Sequence, residues 1–317
     1  MKRFFARVER RNGSPRRRFF LSVIVLSAIG LSGCGGMKTA PDRDVWPQHD
    51  LDRVFFRDSM SGWIVGKGGT ILHTRDAGEN WVPQDSGTAQ GLGGVQFVDA
   101  NRGWIIGDNG AILHTGDGGA RWTAQHAGTA AHLFSLRFID PERGWIIGRD
   151  GTILHTADGG LHWRPQASGT HDYLYSVAFA DAAHGWIVGR DGLILRTEDG
   201  GETWLSDRLA GQYWLYEVFF INPLTGWAAG KDGVIVATRD GGKSWTRQAS
   251  GTGRSLYSIY FADEHYGWAV GISGTVLHTK NGGADWTAAT AHLGWRSSSA
   301  SGSRPRNRRI WWRVSSG

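Results

Sequence analysis

An all-β fold made of repeated four-stranded antiparallel sheets is predicted by three observations. Trp63, Trp104, Trp145, Trp186, Trp227 and Trp268 follow one another at a step of 41 residues, with no insertion or deletion. Trp81, Trp122, Trp163, Trp204, Trp245 and Trp286 keep the same step. Between these markers, short apolar runs alternate with turns rich in glycine and aspartate. Each unit must bury its apolar faces against its neighbours, which is the logic of a β-propeller blade.

One unit, residues 174–210, shows how the elements arise. Leu174-Tyr-Ser-Val-Ala-Phe179 alternates large apolar and small residues, as a half-buried strand does. Gly185-Trp-Ile-Val-Gly189 is a second strand. Arg190-Asp191-Gly192 predicts a tight hairpin, because Asp-Gly tolerates positive φ at both central positions. Leu193-Ile-Leu-Arg-Thr197 is a third strand, and Trp204 opens a fourth, more polar one. Before the second tryptophan of every unit stands a Thr-x-Asp-x-Gly-x-x-Trp turn that resembles the Asp-box of sialidase-like propellers. Its polar residues are Asp76, Asp117, Asp158, Asp199, Asp240 and, in the last unit, Asn281. A short acidic side chain accepts hydrogen bonds from the backbone of its own turn, so these positions are structural.

Residues 51–290 hold six such units. Trp46-Pro-Gln resembles a fourth strand and suits a ring-closing role within residues 34–50. After Ala291-His-Leu-Gly294 the pattern fails, so residues 291–317 read as a degraded seventh blade or a basic tail. The expected architecture is a seven-bladed ring with an incomplete last blade, and the alternative is a six-bladed ring.

The first 33 residues read as an export signal. Eight basic residues and one acid fill the first twenty positions, and the apolar run Phe19–Leu31 follows. That leader carries +7, more than the whole chain's +6, and the stretch after Asp285 adds six arginines and no acid. The ring between them is therefore acidic, which excludes nucleic-acid binding by the body. Leu31-Ser-Gly-Cys34 resembles a bacterial lipobox, which implies lipidation at Cys34, the only cysteine. Gly35 after it leans towards the outer membrane. Arg17-Arg18-Phe19-Phe20-Leu21 resembles a twin-arginine export motif.

Little in the chain suggests chemistry. His73, His114, His155 and His278 repeat at one blade position, too dispersed to converge on a metal. Neither a metal nor a cofactor motif is present, and no catalytic residue is assigned. Tyr213, Tyr216 and Glu217, with His171-Asp172-Tyr173, are the non-repeated residues that a glycosidase would draw on. A binding face is better marked. Lys67, Arg149, Arg190 and Lys231 share one hairpin position, interrupted by Asp108 and Ile272, and the links on that face carry His132, Tyr173, Tyr213, Trp214 and Arg254. Basic and aromatic side chains are enriched at protein contacts.

The combined Gly-Trp-Ile/Ala-Val/Ile-Gly, Gly-Thr-Ile-Leu-His-Thr and Asp-Gly-Gly-x-x-Trp pattern over residues 51–290 resembles the photosystem II stability/assembly factor family. The resemblance implies a seven-bladed, exported, non-enzymatic propeller that binds newly made membrane-protein subunits, in part through an arginine-bearing face. Lys67, Arg149, Arg190 and Lys231 are the counterpart of that face here. The reading is an envelope lipoprotein that assists assembly of a membrane-protein partner. It would sit at the outer membrane facing the periplasm, or on the thylakoid or periplasmic side in a photosynthetic host. The rival is an exported glycan-binding or glycan-cleaving propeller.

Overall fold

The computed structural model describes residues 49–289, except Gln212, and the strand Leu21–Val23. The predicted leader apart from that strand, Cys34, Trp46 and residues 291–317 lie outside the described residues. Residues 51–288 form six antiparallel sheets of four strands, one per 41-residue unit, each pairing its strands in chain order. Blade four, the unit read above, consists of Leu174–Phe179, Gly185–Gly189, Leu193–Thr197 and Leu205–Arg208, ordered from the central channel outwards. Leu21–Val23 adds a fifth strand to blade one, antiparallel to its inner strand Leu51–Phe56. The all-β propeller is thus as expected, and the six described blades match the alternative count.

The core lies between blades rather than inside any one of them. Trp63, Trp104, Trp145, Trp186 and Trp227, on the second strands, are at most 1% exposed. Each stacks on the phenylalanine that ends the next blade's inner strand; Trp186 lies 3.4 Å from Phe220 and Trp227 3.5 Å from Phe261, centroid to centroid. The outer-strand tryptophan of that next blade closes edge-on, as Trp245 does against Phe220 at 5.8 Å and 90°. The edge-on contact suits the ring quadrupole, and the face-to-face stacks contribute through burial. The glycine before each second-strand tryptophan makes room: a Cβ on Gly226 would stand 2.6 Å from the Phe220 ring. Trp268, on blade six, departs from the series at 38% exposed. No following blade covers it among the described residues.

Hydrogen bonds carry the same blade-to-blade order. The indoles of Trp104, Trp186 and Trp227 donate to the carbonyls of Gly159, Gly241 and Gly282, in the next blade's Asp-box turn, at 3.1, 2.9 and 3.0 Å. In the other direction, Trp122, Trp163, Trp204 and Trp286 donate to Gln84, Gln125, Gln166 and Gln248 of the preceding blade at 3.1–3.2 Å. Inside each turn the wiring is as the sequence suggests. Thr197 Oγ1 donates to Asp199 Oδ1 at 2.7 Å and accepts the Gly201 N–H at 2.8 Å, while Asp199 Oδ1 accepts the Thr203 N–H at 3.0 Å. Asn281 substitutes in blade six by the same scheme.

Candidate functional site

The six hairpins between second and third strands share one face with the links into the inner strands. Each hairpin is a tight reversal with consecutive residues at positive φ, Asp191 at 55° and Gly192 at 72° in blade four. The turn is therefore of the predicted kind. Its first residue is tied down by its own backbone: the N–H groups of Arg149, Arg190 and Lys231 donate to the carbonyls of His132, Tyr173 and Trp214 at 2.8–2.9 Å. Lys231 lies over the ring of the residue that holds its backbone, whereas Arg149 and Arg190 reach across to the link of the next blade.

The result is a run of cations over aromatic rings on blades three to five. Arg149 lies 5.0 Å from the centre of the Tyr173 ring, and both Arg190 and Lys231 lie 5.0 Å from Trp214. Arg247, on the outer strand of blade five, lies 5.5 Å from Tyr213. Cations held over rings in this way are favoured by the ring quadrupole. Among the described residues Arg149, Lys231, Arg247 and Arg254 have no carboxylate at ion-pair distance, whereas Arg190 meets Asp191 at 3.4 Å. Lys67 stands apart. It pairs with Asp50 at 3.8 Å, and the intervening hairpin of blade two carries Asp108, which binds His132 at 2.7 Å. Of the four predicted contact residues, three therefore form one continuous patch and the fourth lies outside it.

A second feature was not singled out from the sequence. Phe134, Tyr175, Tyr216 and Tyr257 stand at the second position of four consecutive inner strands, and their ring centres are 5.7, 5.4 and 5.2 Å apart in sequence. They form an aromatic collar on the channel mouth, on the same face as the cations. Their own 41-residue spacing was the signal available. The collar stops where Gly93 and Asp52 occupy the same position on blades two and one. Burial, with the neighbouring Tyr257 and Tyr175 hydroxyls, pushes the Tyr216 phenol up to about 12, so that hydroxyl stays neutral at physiological pH.

Beneath the collar, a cavity of about 330 Å³ follows the inner strands and is lined by Arg53, Ser135, Arg137, Glu217, Ser258 and Tyr260, among others. Glu217 is the one carboxylate on that lining, and burial raises its carboxyl above the usual range while Arg53 partly opposes this. Hydrolysis by either glycosidase route uses a pair of carboxyl groups facing the bond to be cut. The nearby Asp172 is engaged by Arg208 instead. The repeated histidines prove to be packing elements: His73 and His155 stack on Trp63 and Trp145 at 4.4 and 4.7 Å, and burial lowers both below the usual imidazole value. No three His, Cys, Asp or Glu side chains among the described residues are grouped to hold a metal.

Solved structures with this architecture include assembly factors and glycoside hydrolases. A YCF48 bound to D1 peptide aligns with a TM-score of 0.64 at 20% identity, over 76% of this chain and 80% of that one. YCF48 from Cyanidioschyzon merolae gives 0.65 at 19% identity, over 76% and 85%. The GH74 xyloglucanase from Xanthomonas campestris gives 0.60 at 14% identity over 75% of this chain, which spans only 45% of the enzyme. At such identities these likenesses establish the propeller alone. No curated protein sequence matches the chain. The family model for the photosynthesis system II assembly factor YCF48 matches residues 83–167, 121–204 and 162–252, together more than half the chain. Those residues include the cationic hairpins of blades three to five and three of the four collar rings, and they make this chain a member of the YCF48 assembly-factor family.

Proposed function

We propose that this chain is a non-enzymatic, lipid-anchored envelope protein whose hairpin face binds a segment of a membrane-protein partner and assists its assembly or stability. The observation that carries the reading is the patch of Arg149, Arg190 and Lys231 held over Tyr173 and Trp214. Arginine and aromatic side chains dominate the energetics of protein contacts. The patch rides on rigid hairpins, so little side-chain freedom is lost on docking. A relative with this fold binds a D1 peptide, which supports a peptide segment as the ligand class.

Affinity capture from detergent-solubilised membranes tests this reading. The wild-type chain enriches a membrane protein, and the variant with Lys67, Arg149, Arg190 and Lys231 all changed to Glu loses at least about ten-fold of that capture, most of it through the three contiguous positions. Equal capture by the variant removes the hairpin face from the mechanism. The anchor is tested separately. Cys34→Ser moves the chain from the membrane to the soluble fraction, since stable anchoring depends on acyl chains at that thiol; retention of the variant on membranes refutes lipidation there.

A further inference from the structure

The channel beneath the collar has a charge arrangement that folding alone does not explain. Arg137, on the inner strand of blade three, forms no hydrogen bond, ion pair or ring contact among the described residues, and its Nε is fully enclosed without a partner. An enclosed guanidinium Nε–H without an acceptor is unfavourable. The equivalent positions on other blades show what a structural choice looks like. Gln96 uses both ends of its amide, donating to the Phe138 carbonyl and accepting the Phe138 N–H at 2.9 Å. Ala178 simply fills space. Arg53 lines the same cavity and has no carboxylate at ion-pair distance among the described residues. Facing them is one acid, Glu217, whose contact is a long 3.5 Å approach from Ser176 Oγ.

We propose that the central channel is a carboxylate receptor, in which Arg137 and Arg53 take the carboxylate of a segment that enters through the collar of Phe134, Tyr175, Tyr216 and Tyr257. The cavity, at about 330 Å³, holds an acidic side chain or a chain terminus together with the adjoining residue. A guanidinium is the side chain best shaped to grip a carboxylate with two parallel hydrogen bonds. Glu217 lines the same cavity as the one acid beside the two guanidiniums, and burial raises its carboxyl above the ordinary range. The apolar shaft of the entering residue packs on the collar, and the flanking chain lies over the cationic hairpins. This deepens the partner-binding reading, and the two can fail independently.

The test titrates the purified full chain with glutarate, and with three short peptides of one sequence bearing a glutamate side chain, a free terminal carboxylate, or neither. Saturable binding of glutarate is expected. The two acidic peptides show which source is preferred, and the peptide lacking both binds at least ten-fold more weakly. Arg137→Met is expected to lose at least ten-fold of the glutarate affinity while its Tm stays level or rises, because an unpaired buried charge has gone. Arg137→Lys retains binding within a few-fold. A guanidinium that served only the fold would instead lower the Tm of Arg137→Met and leave its glutarate binding as in wild type. That result, or the absence of saturable binding by every carboxylate probe, overturns the proposal. If membrane-protein capture fails while glutarate binding depends on Arg137, the receptor stands and only the partner reading falls.

Discussion

Trp227→Ala will destabilise the propeller by about 3–5 kcal/mol, lowering Tm by roughly 10 °C, while the equivalent change at Trp268 will cost under about 1 kcal/mol. The two side chains occupy the same position in consecutive repeats, so composition, backbone and local strand pairing are matched. They differ in what lies beyond them. Trp227 is fully buried, stacks on Phe261, takes Arg239 over its ring at 4.9 Å and donates to the Gly282 carbonyl. Truncating it leaves a cavity between blades five and six and removes the ring beneath Arg239. Trp268 is 38% exposed and stacks on no aromatic ring among the described residues. Thermal unfolding of both variants checks the difference. A cost at Trp268 equal to that at Trp227 would mean that the full chain covers blade six in solution, and residues 291–317 would become the seventh blade that the sequence suggested.

Acid will loosen the ring over the window from about pH 4 to pH 2. Hydrogen bonds from the backbone and side chain of His162 hold Asp158 at about 2; those from Thr197 and Thr203 do the same for Asp199, and those from Ser244 for Asp240. A carboxyl whose folded value lies below its unfolded one stabilises the native state at neutral pH, and that stabilisation is lost as pH falls through the folded value. Taken at face value each shift is roughly 2.5 kcal/mol. These carboxylates face solvent, however, and screening leaves about 1 kcal/mol or less apiece. Asp76 and Asp117 are shifted in the same direction. Glu217 and Asp52, raised by burial, work against the trend. Urea unfolding at pH 6, 4 and 2.5 should show about 2–3 kcal/mol lost across the lower interval. Asp199→Asn should show a shallower dependence, since blade six already runs the same turn with Asn281. A stability that is flat from pH 5 to 2.5 would show that the turns are held by sterics alone.

The fold was legible because one constraint recurs six times. Where each blade must offer a tryptophan to the next, a spacing of 41 residues is the physical signature of the interface, and the Thr-Asp-Gly-Trp turn is the signature of its latch. The hairpin cations were legible for the same reason, as repeated departures from a turn consensus. What stayed hidden was distance across the ring. Nothing in the local sequence places Arg137 and Glu217 on one channel wall, because their meeting depends on curvature summed over blades three to five. Lys67 was grouped with Arg149 by repeat position, yet the single acid Asp108 and its bond to His132 interrupt the patch between them. The collar failed to register for a different reason: Phe134, Tyr175 and Tyr257 read as ordinary strand residues, and Tyr216 as an isolated exception, until their common orientation around the mouth is known.

One joint in the ring is built differently from its neighbours. Where the outer strands of other blades present a glutamine to the following tryptophan, blade four presents Asp207, and the Trp245 indole nitrogen is left enclosed without a partner. That joint, between blades four and five, is bridged on the opposite face by Arg190 reaching over to Trp214, whose indole donates to Asp191 at 3.2 Å. The seam that lacks the glutamine bond below, while keeping the Trp186 bond to the Gly241 carbonyl, is thus also clasped from above by the recognition residues themselves. A ligand seated on Trp214 would therefore rest on a side chain already tied to two blades at once.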